Sequence, residues 1–202
     1  MIPTAFSFTQ EYILENERVL LRALNPEDIQ YLSVFSEREP ELWQYSLQSA
    51  AGIGNLEQYI SAACAGRKAG HSYPFIIFCK KTQRYAGSTR LYEIDLKNAA
   101  CHLGYTWIGK EFQGTGLNRH CKWLLFQFAF EKCNFHRVGL RADANNIKSI
   151  RAMEAIGCIP EGTLREHLLL PDGTWRNSRL FSVLNSDWQT TVQEKLKAGL
   201  RQ

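Results

Sequence analysis

The sequence predicts a single mixed α/β domain built on a mostly antiparallel sheet. Three apolar, strand-favouring segments at 72–79, 85–94 and 99–108 follow one another and are separated by short polar turns, which is typical of an antiparallel meander. A long segment with helical periodicity begins near Leu117. Strands and helices do not alternate as regular βαβ units, so a doubly wound parallel sheet is not expected. We expect one domain over residues 1–202, a length that can bury a full-sized core.

The first part of the chain supplies one strand and two helices. We expect the strand at 18–24. Asn25 is predicted to cap a helix that runs to about Ser36, because a proline and two acids occupy its first turn. Asn55 is predicted to cap a second helix that runs to about Arg67.

The segment 37–54 between these helices has two open interpretations. It mixes charged, aromatic and small side chains. It is predicted either to form one wall of a substrate pocket or to be an ordinary surface loop with Trp43 and Tyr45 as buried anchors.

The second half of the chain alternates helices and strands. Apolar residues repeat at helical spacing from Leu117 to about Cys133 and give that helix one core-facing side. The remaining predicted elements are a strand at 135–142, a helix at 147–156 ended by Gly157, a hairpin of strands at 159–170 and 175–184 around the turn Pro171-Asp-Gly173, and a helix from Asn185 to about Leu200.

Composition and charge limit the class of protein. The chain is 45% hydrophobic and carries a formal charge of +4, which argues weakly for nucleic acid and better for small anionic ligands. No stretch approaches the roughly 18 consecutive apolar residues of a membrane span, and no basic segment precedes an apolar core at the N-terminus. We therefore expect a soluble, cytoplasmic protein and expect neither a membrane nor nucleic acid as a partner.

The cysteines and isolated histidines do not indicate a metal site. Six cysteines are scattered without CxxC spacing, which argues against zinc and against a redox dithiol. In a cytoplasmic protein they are expected to be reduced core thiols. His71 and His136 stand alone in the sequence and are interpreted as surface or structural residues.

The stretch 104–119 carries the strongest local indication of a binding site. A predicted strand ends at Gly109, and Gly114 and Gly116 precede the helix that begins near Leu117. Glycines let backbone amides approach a ligand, and a helix N-terminus favours an anion. The stretch lacks both the lysine of a P-loop and a complete GxGxxG. On local grounds it is either an anion-binding loop or a turn that merely joins strand to helix.

Further motifs follow this loop in order. They are Phe128-Ala-Phe-Glu131, Arg137, Asp143-Ala-Asn-Asn146-Ile-Lys-Ser149, Glu154-Ala-Ile-Gly157, Glu161-Gly-Thr-Leu-Arg165, Asp172-Gly-Thr-Trp175 and Asp187-Trp188. Together with Gln113-Gly-Thr-Gly116, they make residues 16–190 resemble the GNAT superfamily of acetyl-CoA-dependent N-acetyltransferases, in its RimJ/RimL-like branch. The resemblance implies the GNAT fold, a mostly antiparallel mixed sheet flanked by helices in which two parallel strands splay apart.

The resemblance implies acetyl-CoA as co-substrate and no metal. The loop amides would hold its pyrophosphate, and the strand edge at 107–109 would pair with its pantetheine arm and offer amides to the oxyanion. Asn146 would contact the coenzyme or serve only as a helix N-cap. The residues implied to bind coenzyme are Trp107, Ile108, Gly109, Gln113, Gly114, Thr115, Gly116, Leu117, Asn118, Asn146 and Ser149.

Two catalytic residues are implied by the same resemblance. Ser149 matches a serine near the coenzyme sulfur, where it would protonate the thiolate or only bind coenzyme. His102 stands where relatives often carry a glutamate, and the ordinary pKa of an imidazole, about 6.5, suits a base. Glu93, Glu166 and His167 are the alternatives, and water alone can carry the proton.

Two positions of the helix after the loop need a separate interpretation. His120 replaces a glutamate that is common in the family, which puts any contact of that acid in doubt. Lys122 lies one turn from Asn118 and is interpreted as part of a solvated helix face, with a phosphate contact as the alternative.

We therefore expect an N-acetyltransferase that moves acetyl from acetyl-CoA to a primary amine, on a protein N-terminus or on a small molecule. The segment 37–54 and the hairpin at 165–178 are expected to set the acceptor. The alternative is a coenzyme-binding sensor or interaction module without catalysis, because His102 and His120 replace acids. A homodimer is compatible with the sequence, which does not decide the oligomeric state.

Overall fold

A computed structural model of the chain describes residues 4–170 and 173–200. Eight strands of this part form one sheet in the order β1-β2-β3-β4-β5-β6-β8-β7. Neighbouring strands are antiparallel, except that β5 and β6 run parallel. The strands are β1 Ile13–Glu15, β2 Val19–Ala23, β3 Ser72–Cys79, β4 Arg84–Asp95, β5 Ala100–Ile108, β6 Arg137–Asp143, β7 Ile159–Leu169 and β8 Trp175–Leu184.

Helices connect and cover these strands. The α-helical segments are α1 Ile29–Arg38, α2 Ile53–Lys68, α3 Leu117–Gln127, α4 Ile147–Ala155, α5 Asn185–Asp187 and α6 Gln193–Leu200. π-helical turns extend α3 over Phe128–Lys132 and join α5 to α6 over Trp188–Val192. Short 3-10 turns occur at Pro26–Asp28, Pro40–Trp43 and Lys110–Phe112.

The two faces of the sheet carry different helices. Successive residues of a strand point to opposite faces. On β4, Ser88 lies 3.2 Å from the hydroxyl of Tyr59 on α2, whereas Thr89 lies 2.8 Å from Thr106, which Lys122 on α3 contacts. We call these two sides the α2 face and the α3 face.

Aromatic packing fixes α3 against the sheet. The Phe128 ring, just after α3, packs 6.3 Å from the ring of Phe75 on β3 and 4.7 Å from that of Tyr12. Trp188 is 1% exposed and covers the outer side of α3 through Trp123. The second half of α3 is therefore anchored between the sheet and Trp188.

The predicted elements agree with the structure, with local exceptions. The antiparallel meander is confirmed, and β3 and β8 have the predicted bounds. Asn55 is not an N-cap, because α2 begins at Ile53 after Gly52 and the Asn55 side chain donates to Ala51 within the first turn. The short strand β1 was not predicted. Of the predicted hairpin turn, Pro171 and Asp172 lie outside the described residues.

The cysteines occur as predicted. All six are free thiols, and only Cys64 is less than fully buried. Burial raises the pKa of Cys101 most, and it raises the pKa values of Cys121, Cys133 and Cys158 to about 12. They are therefore unreactive core residues.

None of the helices among residues 4–170 and 173–200 combines the length and the apolar character that a membrane crossing requires.

Candidate active site

The parallel pair β5–β6 separates partway along its length. The ladder joins only three residue pairs and ends at His102 opposite Gly139. Beyond this point, β5 runs on to Ile108 and β6 to Asp143 without pairing with each other. A Cβ on Gly139 would lie 2.4 Å from the His102 ring, so the glycine lets this imidazole sit over β6. The predicted splay of two parallel strands is confirmed, and it opens directly after His102.

A β-bulge lies just beyond this point on β5. Thr89 of β4 faces two residues of β5, Tyr105 and Thr106, and Tyr105 has a φ of 49°. A bulge adds one residue to a strand and redirects its side chains. The Tyr105 ring consequently lies 4.3 Å from the guanidinium of Arg90, while Thr106 turns toward Thr89 and the α3 face.

The loop between β5 and α3 exposes unbonded backbone amides. Gly114 and Gly116 have φ values of 75° and 83°, and a Cβ added to either would meet open space. Among the described residues, the amides of Gly114, Thr115, Gly116 and Asn118 have no hydrogen-bond partner. Because unbonded amides at a helix start attract anions, the loop has the form of an anion site.

Gln113 joins this loop to its surroundings. Its Nε2 donates to the Ile108 carbonyl at 2.8 Å, and its Oε1 accepts from Lys148 of α4 at 2.5 Å. The end of β5, the loop and the start of α4 are therefore held together.

Asn146 caps α4. Its Oδ1 accepts from the Ser149 amide at 3.0 Å, as expected of an N-cap residue. Ser149 is partly buried in the first turn of that helix, on the side tied to the loop through Lys148.

The strand edge at 107–109 is only partly available. The Gly109 amide donates to Ala86 of β4 at 2.9 Å, so it does not face the gap between β5 and β6. Successive residues of a strand direct their N–H groups to opposite sides, which leaves the Ile108 amide facing the gap. The Trp107 side chain is 5% exposed and packs against Trp43 and Phe35 on the α2 face.

Lys122 does not lie on a solvated helix face as interpreted from the sequence. Its Nζ lies 3.5 Å from the Thr106 hydroxyl, and it forms no ion pair among the described residues. Desolvation lowers the pKa of Lys122 to about 8. The ammonium therefore sits between α3 and the bulge of β5.

His102 belongs to a charged group on the α2 face. Its Nδ1 lies 3.2 Å from a Glu93 carboxylate oxygen, without hydrogen-bond geometry, and its Nε2 lies 3.2 Å from Arg141. Because arginine only donates, Nε2 accepts and the ring is neutral. Burial first, and then the Arg141 charge, lower the pKa of His102. Glu93 has a φ of 48° within a second bulge, which turns it toward this group.

The alternative base candidates lie farther along the sheet. His167 and His102 both line a cavity of about 120 Å³, and the His167 Nδ1 lies 3.0 Å from Ser178 Oγ. Glu166 is exposed and lines a separate depression with Trp175, which is 57% exposed. Of the two, only His167 shares a cavity with His102.

His120 is a structural residue. It is 2% exposed, and its Nδ1 lies 3.1 Å from the Asn16 amide and 3.4 Å from Glu17. Burial lowers the pKa of His120. It joins α3 to the segment before β2 and lies outside the gap.

Sequence reasoning missed two buried arginines. Arg90 and Arg176 are each 6% exposed. Arg176 lies 3.7 Å from Asp143 and donates to the Tyr45 carbonyl at 3.1 Å, so the segment 37–54 does border the hairpin. The burial of Arg90 could have been predicted, because this arginine stands within an apolar segment that is typical of a strand.

Comparison with known proteins gives the same assignment throughout. A family model described as "Acetyltransferase (GNAT) domain" matches residues 18–159. The chain is 26% identical over 184 residues to "Putative ribosomal N-acetyltransferase YdaF" of Bacillus subtilis (strain 168), covering 86% of this chain and 95% of that protein. It is 30% identical over 89 residues to the ribosomal protein uS5-alanine N-acetyltransferase of Escherichia coli (strain K12), covering 44% and 45%.

Solved structures share the fold. A GCN5-related N-acetyltransferase from Brucella melitensis superposes with a TM-score of 0.85 at 24% identity, covering 96% of this chain and 88% of that one. A structure described as a putative acetyltransferase from T. thermophilus gives 0.82 at 28% identity, covering 96% and 99%.

Proposed function

This chain belongs to the GNAT family of acetyltransferases, and from that premise we propose how its site acts. It is an N-acetyltransferase, and its family implies acetyl-CoA as co-substrate. We infer that the acceptor is a primary amine that enters from the α2 face, while the coenzyme lies along the α3 face. The observation that carries this inference is the gap between β5 and β6, which has the open amide loop at one side and a neutral histidine at its apex.

The residues of the α3 face fit the coenzyme. Acetyl-CoA supplies an activated acetyl thioester. We propose that the amides of Gly114–Asn118 bind its pyrophosphate and that the free amide of Ile108 binds its pantetheine arm. The unpartnered amides and the helix start support the first contact. We propose that Gln113 and Asn146 act by positioning the loop and α4. This role does not require either side chain to contact the coenzyme.

Proton transfer involves both faces. Amine attack requires a neutral nucleophile, a base for the proton it releases and an acid for the departing thiolate. We propose that the Glu93–His102 pair takes the amine proton through water, since both side chains meet at the start of the gap. Ser149, on the first turn of α4, is proposed to hydrogen-bond the sulfur.

Two kinds of acceptor fit this proposal. The names of the relatives point to a protein N-terminal α-amine, and the same chemistry serves a small-molecule amine. The segment 37–54 and the hairpin form the wall on the α2 face, as the Arg176–Tyr45 contact supports.

The direct test uses the purified full chain. We expect acetyl-CoA to raise its melting temperature and an amine panel of N-terminal peptides and small amines to give amine-dependent CoA release. Ser149→Ala is expected to keep the thermal shift and slow the release. If acetyl-CoA does not raise the melting temperature, the proposal of coenzyme binding is wrong. If it does, but no amine causes release of CoA, the result favours the coenzyme-binding sensor without catalysis.

A further inference from the structure

Arg90 is a buried cation without a counter-ion. It is 6% exposed, and its Nε and Nη2 have neither solvent contact nor a hydrogen-bond partner. No ion pair of Arg90 occurs among residues 4–170 and 173–200. An unpaired buried charge is strongly destabilising, so the site favours a ligand that supplies an anion to Arg90.

Two tyrosines hold the guanidinium by its faces. Its Cζ lies 5.1 Å from the ring centre of Tyr59 and 4.3 Å from that of Tyr105. Cation–π contacts stabilise the flat faces of arginine and leave its edges for hydrogen bonds. The unpartnered Nε and Nη2 are neighbouring donors of one edge, which is the fork that grips a carboxylate with two parallel bonds.

Of the three arginines in this region, Arg90 is the one that no carboxylate of the described residues pairs with. Arg141 is paired with Glu93, at 2.6 Å, and Arg176 with Asp143, at 3.7 Å. Arg141 and Asp143 are alternate residues of β6 and therefore project from the same face of the sheet, so both ion pairs lie on the α2 face, as Arg90 does. Three arginines thus stand against two carboxylates.

The position of Arg90 connects it with the acceptor. Arg90 lies opposite Gly104, two residues beyond the point where β5 leaves β6, and beside the bulge. Its contact with Tyr59 of α2 places it on the α2 face. A molecule that brings an amine to the gap from this face comes close to Tyr105, whose ring packs on the guanidinium of Arg90, and the unpartnered edge of Arg90 is buried beside that ring.

We propose that the acceptor of this enzyme carries a carboxylate close to its amine, and that Arg90 binds that carboxylate through Nε and Nη2. This inference rests on the proposed function. The two donors of this edge lie in one plane and match the two oxygens of a carboxylate. The partly buried Tyr105 ring is the wall that moves to admit it. The carboxylate is either the α-carboxylate of a free amino acid or the acidic side chain of a peptide N-terminus.

Matched acceptor pairs test the proposal. One arm compares free amino acids with their carboxamides, and the other compares peptides that begin Asp-Ala with peptides that begin Asn-Ala. In one arm, we expect kcat/KM from CoA release to favour the carboxylate by about 30-fold or more, as for a lost bidentate pair. The arm that shows the preference identifies the source of the carboxylate.

Variants of Arg90 connect the preference to this residue. Arg90→Met is expected to raise KM for the carboxylate acceptor, to reduce the preference to within about threefold, and to leave the thermal shift with acetyl-CoA unchanged. Arg90→Lys should restore part of the preference and serves if the methionine variant does not fold. Arg179→Met is the matched control, because Arg179 also has a buried, unpartnered Nε and stacks on Phe181.

Three results overturn the proposal: equal turnover of both members of each pair, turnover of neutral acceptors only, or an unchanged preference in Arg90→Met and Arg90→Lys. Amine-dependent CoA release from neutral acceptors would still support acetyl transfer. Failure of the proposal and failure of the proposed function are therefore separate outcomes.

Discussion

The two faces of the gap recognise their ligands by different means. On the α3 face, the proposed coenzyme site is a short loop that offers backbone amides, and Gly114 and Gly116 keep it open. On the α2 face, side chains from separate elements meet, namely Tyr59 of α2, Arg90 and Glu93 of β4, His102 and Tyr105 of β5, Arg141 of β6 and Arg176 of β8.

This difference separates binding of the coenzyme, which the family has in common, from selection of the acceptor, which differs from one enzyme to another. Backbone amides bind a pyrophosphate whatever the neighbouring side chains are, provided that the glycine conformation is kept. A pocket of arginines and tyrosines changes its preference with each substitution. We therefore expect variants of the α3 face to affect binding of every acetyl donor and variants of the α2 face to affect particular acceptors.

The largest expected effect comes from a substitution in the amide loop of the α3 face. Gly116→Val places a branched side chain at a φ of 83° over the exposed amides. We expect the affinity for acetyl-CoA to fall roughly 1,000-fold, as for the loss of two charge-assisted hydrogen bonds of about 2 kcal/mol each. Titration calorimetry with acetyl-CoA measures it.

The control for this prediction has the same backbone strain. Gly173 also has a φ of 83° and no atom within 4 Å of an added Cβ. Gly173→Val should therefore lose similar stability and keep its affinity. An equal fall in affinity in both variants would show that strain, not the loop amides, determines binding, and an unchanged affinity in Gly116→Val would contradict the coenzyme site.

The sequence predicted the α3 face better than the α2 face for a physical reason. The loop and its helix are contiguous, so glycine positions and helical periodicity indicate them directly. Arg90 and Arg176 lie 86 positions apart in the sequence, and only the strand order brings β4 and β8 into one sheet, while the bulge of β5 places Tyr105 against Arg90. Hydrophobic periodicity does not reveal bulges, because a single added residue reverses the side chains that follow.

Lys122 shows the same limit on the α3 face. Its place on a helix was predicted, but its contact with Thr106 depends on the bulge that turns this hydroxyl toward α3. The structural role of His120 likewise depends on Asn16 and Glu17, more than 100 positions earlier in the chain.

A smaller effect is expected on the α2 face. His102→Gln should slow turnover by about 100-fold if the imidazole relays the proton, with little change in acetyl-CoA affinity. The pKa of His102 is lowered from its ordinary value of about 6.5. The wild-type rate should therefore hold at pH 7 and fall only as the pH drops below about 6.5, where the ring gains a proton.

The pH profile of kcat/KM distinguishes this role from simple packing. His102→Gln should lose the acid limb, while the exposed His136→Gln control keeps it. A variant that is slower but retains the wild-type acid limb would show that His102 is not the group that titrates.

The smallest expected effect concerns Lys122, whose ammonium lies between α3 and the bulge of β5 on the α3 face. Its pKa is about 8 in the folded protein and about 10.5 when unfolded. At pH 7 the folded state holds a desolvated ammonium, so Lys122→Met should raise the free energy of unfolding by about 1 kcal/mol. Between pH 8 and 10.5 the unfolded chain binds the extra proton, so the wild type gains stability relative to the variant as the pH rises. Urea unfolding of both proteins at pH 7 and pH 10 measures this change in their stability difference, and Lys68→Met, a substitution of an exposed lysine of α2, should show none. A constant difference at both pH values would mean that the Lys122 ammonium is fully hydrated, and the gap would then be as open to water on the α3 face as the loop beside it.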